Sequence, residues 1–240
     1  MDDEHVLVRP ASTVVLLRDS EQGLETLLLR RNNALAFAGG AWVFPGGAID
    51  QSELDNAPSE AWAAQVAAVR ETYEECGLMV APKSLVYFSH WTTPVRQKKR
   101  FSTWFFAAHI IEISAEIVID GGEIHDFKWI LIEDAVKPHL VAELRLMPPT
   151  LLSMQLINHY RTAAEACAGL AEREPYRVTP RLSKIDGQLV SLYPGDAGYE
   201  ASDASIDGPP PQTIIRPEGT AVYLFRGRCL YASNGPSLAP

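Results

Sequence analysis

The stretch Arg70-Glu71-Thr72-Tyr73-Glu74-Glu75-Cys76-Gly77-Leu78 places three carboxylates in what reads as the last turn of a long helix. At about 100° per residue, Glu71, Glu74 and Glu75 share one third of the helix circumference. Like charges three and four residues apart repel by roughly 0.2–0.5 kcal/mol per pair. The negative end of the macrodipole adds roughly 0.3–1 kcal/mol against each anion. Gly77 follows as the left-handed residue that stops the helix. A sequence shaped for helix stability alone would carry Lys or Arg here. A hard cation reverses the balance, because Mg²⁺ takes carboxylate oxygens and keeps waters for a phosphate substrate. Taken by itself, the cluster reads equally as a solvated acidic face.

The residues upstream decide between these readings. Gly47 is followed by five residues and then Glu53. With R-E-x-x-E-E-x-G-L this resembles the box of the Nudix hydrolase family, G-x5-E-x7-R-E-U-x-E-E-x-G-U, where U is bulky and apolar. Thr72 stands where U is usually Leu, Ile or Val. Sixteen residues separate Glu53 from Arg70 where the family pattern has seven. Asp55, Asn56 and Pro58 are loop formers and Ser59 is a good N-cap, so the insertion is expected to be a loop ahead of the helix.

The resemblance implies that Glu71, Glu74 and Glu75 hold Mg²⁺ or Mn²⁺, with a backbone carbonyl of Gly46 or Gly47 as a further ligand. It pairs Arg70 with Glu53, while helix spacing alone gives Arg70 an i,i+4 partner in Glu74. Such ions neutralise a diphosphate and lower the pKa of a bound water. A Glu in so crowded a set can act as base, and Glu74 and Glu75 are the nearest candidates. Some relatives carry one more carboxylate before a late strand. Glu123 is that candidate here, with an exposed turn residue as its plain alternative, and Glu116 is the reserve. The implied reaction is hydrolysis of a nucleoside diphosphate linked to another group, X.

A composition of 47% hydrophobic and 21% charged residues is that of an ordinary globular protein. The net charge of −9 argues against a general nucleic-acid surface. No secretory h-region follows the acidic start, no apolar run suits a membrane span, and the C-terminus is not a peroxisomal tripeptide. Cys76, Cys167 and Cys229 are odd in number and far apart, which suits a reducing compartment. A cytoplasmic protein acting on a small-molecule nucleotide is expected, without nucleic acid or membrane, and with a homodimer as the assembly to test.

Thr13–Leu17 and Leu24–Leu29 read as a first hairpin, and Gly39–Gly47 as a short strand running into a Pro-Gly-Gly turn. In the helix from about Glu60 to Cys76, Trp62, Val66, Val69, Tyr73 and Cys76 form an apolar stripe expected to face the core. Five alanines give it a slim profile. Leu85–Phe88, Phe101–Ile113 and Glu123–Ile130 read as further strands. Arg96, Lys98, Lys99 and Arg100 form a basic run that suits either a solvated loop or, with Arg31, the anionic end of a substrate. The histidines lack ligand spacing. Pro148-Pro149 opens a helix expected over Thr150–Glu172. The fold class is thus an α/β sandwich, a mixed central sheet with helices on both faces, over residues 1–175. Residues 176–240 form a β-rich extension with hairpins about Asp186-Gly187 and Arg226-Gly227.

The inserted box, the basic run and Leu146-Met147-Pro148-Pro149-Thr150 resemble the branch of (acyl-)coenzyme A diphosphatases. A coenzyme-A signature of a sister group is matched in part, by Leu27-Leu28-Leu29-x-Arg31 and Gly40-x3-Phe44-Pro45-Gly46-Gly47, with Ala36 where a second Arg belongs. Coenzyme A or an acyl derivative is the first substrate candidate. ADP-ribose, NADH and dinucleoside polyphosphates are alternatives, as is a non-catalytic nucleotide sensor of the same fold.

Overall fold

The computed structural model describes residues 6–35, 38–95, 97, 99–111, 116–119, 121–137, 144–185, 188–206, 213–215, 221–225 and 228–232. The chain opens with an antiparallel pair, β1 (Val8–Ser20) and β2 (Gly23–Arg31). Next come the short strands β3 (Trp42–Val43) and β4 (Gly46–Ala48), then helices α1 (Gln51–Asn56) and α2 (Glu60–Cys76). Strands β5 (Val86–Thr92), β6 (Arg100–His109) and β7 (Ile124–Leu131) lead to helices α3 (Ile132–Ala135), α4 (Pro148–Ile157) and α5 (Ala163–Ala171).

The main sheet runs β3-β2-β1-β6-β5-β8, with β4 also on β1 and β7 also on β2. Here β8 is Tyr176–Val178. It is a mixed sheet, since β1 pairs with β6 and β5 with β8 in parallel while the other pairs are antiparallel. Strand β1 shows why: its continuous apolar run is buried on both sides. Val14 and Leu16 meet the α2 side with Leu27, Leu29 and Phe106. Val15 and Leu17 meet the other side with Leu151, Met154, Ala163 and Ala166. Helices cover both faces, as expected.

Helix α2 is capped at both ends by the residues its sequence proposes. The Ser59 hydroxyl accepts from the Trp62 N–H at 3.2 Å. Gly77 adopts φ 74° and returns its N–H to Tyr73. The face it buries is only partly the expected one: Cys76 is buried and Val69 packs against the core, but the rest of the stripe turns outward. Ala63, Ala64, Ala67, Ala68, Thr72, Glu75 and Cys76 are buried, whereas Trp62, Val66 and Tyr73 are exposed. A row of alanines lets the helix axis approach the sheet, and larger side chains there would hold it away. The Thr72 hydroxyl is tolerated in that interface because it donates to the Ala68 carbonyl at 2.7 Å.

Two further expectations change. The insertion is not a plain loop, because residues 51–56 form α1 and only Ala57-Pro58-Ser59 link it to α2. The helix expected over 150–172 is two helices, since the chain breaks after Ile157 and restarts at Thr162, whose hydroxyl caps Glu165 N–H at 3.1 Å. Beyond 175, β8 still belongs to the main sheet. A separate five-stranded sheet follows, β9 (Arg181–Ile185), β10 (Gln188–Leu192), β11 (Thr213–Ile215), β12 (Ala221–Phe225) and β13 (Arg228–Ala232), every neighbour antiparallel. The turn residues Asp186-Gly187 and Arg226-Gly227 lie outside the described residues.

Candidate active site

The site forms where the C-terminal half of α2 meets β4 and α1. Strand β4 pairs with β1 through Thr13–Gly46, Ser12–Gly47 and Ala11–Ala48. The Thr13 hydroxyl donates to the Pro45 carbonyl at 2.7 Å and fixes the Pro-Gly-Gly turn. Both glycines are needed for closeness. A Cβ on Gly46 would lie 2.3 Å from the Ser12 carbonyl oxygen, and a Cβ on Gly47 would lie 2.4 Å from the Glu71 carboxyl carbon. The turn therefore lies directly against the acidic end of α2.

Glu75 is 7% exposed, and its Oε2 accepts the Gly46 N–H at 2.9 Å. Burial pushes its carboxyl up to about 8; the Gly46 bond opposes this and the Glu71 charge adds to it. Glu71 is also raised, first by burial, with Arg70 working the other way. Glu74 is the outermost of the three, its side chain 55% exposed.

Arg70 ties this cluster to the inserted helix. Its Nε donates to Glu53 Oε1 at 2.9 Å and its Nη2 to Glu53 Oε2 at 3.1 Å. Nη1 reaches Glu71 at 2.8 Å and Glu74 at 3.0 Å, while Nη2 also donates to the Ala48 carbonyl at 3.0 Å. Both expected partners, Glu53 and Glu74, are thus present together. Burial raises the Glu53 carboxyl, but the bonds from Arg70 and the Asp50 N–H outweigh it and leave the pKa below its usual value. Sequence reasoning missed two participants: Asp50, 3.8 Å from Arg70, and the Ala48 carbonyl. No side-chain pattern signals a backbone acceptor.

Arg31 and Glu123 approach from β2 and the start of β7. Arg31 Nη2 stands 3.3 Å from Glu123 Oε2, and the Asn32 N–H donates to the Glu123 carbonyl at 2.7 Å. Both charges act on Glu75, Arg31 lowering its pKa and Glu123 raising it. Glu116 is exposed, in the stretch that returns past the end of α2. Of the basic run, Arg96 and Lys98 lie outside the described residues. Arg100 pairs with Val8, four residues along β1 from Ser12, which pairs with Gly47. At about 3.3 Å per residue this places Arg100 roughly 13 Å along the strand from the turn.

The donors gathered here are all oxygens, the set a hard divalent ion takes. Among the described residues no three His, Cys, Asp or Glu side chains already converge as a cage. Arg70 accounts for part of this, because its guanidinium engages Glu71 and Glu74. The buried Glu75 and half-buried Glu71, both pushed toward their neutral forms and with further acidic groups beside them, fit a cation that would relieve both effects.

A mixed sheet thus lies between helical layers, with a Gly-Gly turn set against an acidic helix end. The NUDIX domain model matches residues 8–150, and the chain belongs to the Nudix family. It is similar to "Putative nudix hydrolase 7" of Caenorhabditis elegans, 19% identical over 80% of this chain and 74% of that one. Its fold is similar to that of a NUDIX hydrolase from Alicyclobacillus acidocaldarius, with TM-score 0.60 and 24% identity over 68% of this chain and 96% of that one. The protein is a Nudix pyrophosphohydrolase. Among the described residues no helix is long and apolar enough to cross a membrane.

Proposed function

We propose that the chain cleaves the P–O–P bridge of a nucleoside diphosphate linked to X, with coenzyme A or an acyl derivative as the preferred substrate. The products are then 3′,5′-ADP and (acyl-)phosphopantetheine. The observation that carries the reaction class is the approach of Glu71 and Glu75 to the Gly46-Gly47 turn. The coenzyme A reading rests on the partial signature across Leu27–Arg31 and Gly40–Gly47.

Glu71, Glu74 and Glu75 hold the divalent ion, with a carbonyl of Gly46 or Gly47. Once bound, Mg²⁺ or Mn²⁺ neutralises the diphosphate and lowers the pKa of a coordinated water. The protein's own groups do the rest. Glu53 and Arg70 fasten α1 and the turn to α2, so the carboxylates keep their spacing. Glu74 or Glu75 receives the proton of the attacking water, with Glu123 as the alternative carrier. Arg31 binds the substrate phosphate, and Lys99 and Arg100 add positive charge farther out along the sheet.

The test is a competition of coenzyme A, acetyl-coenzyme A, NADH, ADP-ribose and diadenosine polyphosphates for one enzyme sample. Release of 3′,5′-ADP with the highest kcat/KM supports the substrate reading. Preference for another member keeps the reaction class and removes coenzyme A.

A further inference from the structure

Four large apolar residues of α2, Trp62, Val66, Val69 and Tyr73, are spaced four, three and four apart. At about 100° per residue they lie within roughly 60° of one another. That arc is opposite Ala63, Ala64, Ala67 and Ala68, which face the sheet. Trp62 is 50% and Tyr73 56% exposed, Val66 is also exposed, and Val69 is half-buried along the edge of the stripe. Rings and β-branched side chains are poorer helix formers than Ala, Gln or Glu, so the exposed stripe weakens the isolated helix. Alternating steps of four and three are the seam by which one helix packs on a second.

We propose that two copies of the chain pair through this stripe, α2 against α2, antiparallel about a two-fold axis. The register is self-complementary. Trp62 and Tyr73 stand equally far from the point between Ala67 and Ala68, as do Val66 and Val69. A two-fold axis at that point sets Trp62 against the partner's Tyr73 and Val66 against the partner's Val69, the isologous pairing of a symmetric dimer. Charge selects the same orientation. Antiparallel pairing puts the acidic last turn of each α2, with Glu71 and Glu74, beside the amide-rich first turn of the other. Glu60, in that first turn, is occupied by the Trp104 indole N–H. Parallel pairing would set two acidic ends side by side.

The area bounds the strength. An enclosed aromatic side chain buries roughly 150–250 Å², so the half-exposed Trp62 and Tyr73 each offer roughly 100 Å². Val66 and the exposed Val118, whose N–H donates to the Cys76 carbonyl at the end of α2, together add roughly 100 Å². Two copies then bring together about 600 Å² of apolar surface, or about 1,000 Å² in all at the roughly 60% apolar share of interfaces. That is just under the roughly 1,200–2,000 Å² of standard interfaces, so the dimer is weak and forms as concentration rises.

The experiment is sedimentation velocity of the full chain across a hundredfold range of concentration. Wild type is expected to shift from monomer to dimer. Val66→Glu, at the centre of the seam, is expected to remain a monomer throughout, with the wild-type thermal melt at low concentration. Mixing Trp62→Cys chains with Tyr73→Cys chains under oxidising conditions reads the register. A disulfide-linked 62–73 peptide is expected in the mixture, at least tenfold above the self-linked peptide of either chain alone. Wild type that stays monomeric overturns the proposal and leaves the stripe to a different protein. A dimer that Val66→Glu leaves intact, or a mixture that links no better than either chain alone, overturns it too.

Discussion

Arg70 grips both carboxylate oxygens of Glu53, seventeen residues earlier in the chain, at 2.9 and 3.1 Å. The inserted residues do not separate the two halves of the box. They form α1, which turns back so that its only glutamate meets α2.

Arg70→Lys removes the paired geometry and keeps the charge. Because Arg70 is about a quarter exposed, the stability loss is modest, about 1–2 kcal/mol in urea unfolding. Turnover is expected to fall at least tenfold as Glu71 and Glu74 lose their anchor. Glu53→Gln is expected to lower turnover in the same direction. Normal turnover in both would mean that the α1 connection is structural only.

Metal-free protein is expected to lose stability as pH rises from about 4.5 toward 8. The unfolded Glu75 carboxyl loses its proton near the ordinary 4.5, while the folded one keeps it until about 8. Over that window the unfolded state binds fewer protons, so stability falls with pH and then levels off. At about 1.4 kcal/mol per unit the upper limit is about 5 kcal/mol. Glu75→Gln is expected to flatten this slope, and Mg²⁺ to raise wild-type Tm at pH 8 more than that of the variant. A Glu75→Gln melt with the wild-type pH slope would contradict the assignment.

The two glycines of the turn are expected to fail differently. A Gly47 Cβ meets the Glu71 carboxylate, a side chain that can swing away. Gly47→Ala should therefore fold, cost under about 1.5 kcal/mol, and weaken metal binding in a Mn²⁺ titration. A Gly46 Cβ meets the backbone of Ser12 and Thr13. Gly46→Ala should unfold at markedly lower urea concentration.

The alanine face of α2 gives a test of packing. Ala64→Leu or Ala67→Leu should cost about 1–3 kcal/mol through overpacking. Trp62→Gln and Tyr73→Gln should cost under about 0.5 kcal/mol, since both side chains are exposed. Denaturant midpoints at matched m-values separate the two groups.

Much of this was legible in the residues themselves. The carboxylate spacing, Ser59 and Gly77 marked α2 correctly at both ends, and the run at Thr13–Leu17 marked a buried strand. The face of α2 was only partly legible: of the expected stripe Val69 and Cys76 pack inward, while Trp62, Val66 and Tyr73 lie on a different side from the alanine face. Size suggested the first, and closeness of approach to the sheet selected the second. Helix α1 was hidden because Asp55, Asn56 and Pro58 suit a helix end as well as a loop. The break after Ile157 was hidden by an Ala-rich continuation. The Arg70–Glu53 contact was suggested by family resemblance, whereas the Ala48 carbonyl has no side-chain signal.

The most direct test of the site is mass spectrometry of products from the diphosphate substrate panel with Mg²⁺ or Mn²⁺, with wild type and Glu75→Gln side by side. The account expects wild type to split the P–O–P bridge of a nucleoside diphosphate linked to X, leaving one phosphate of the bridge on each product. It expects EDTA to stop the reaction and Glu75→Gln to reduce it at least a hundredfold while remaining folded. Wild-type turnover in Glu75→Gln, or undiminished turnover in EDTA, would contradict the claim that these carboxylates hold the metal.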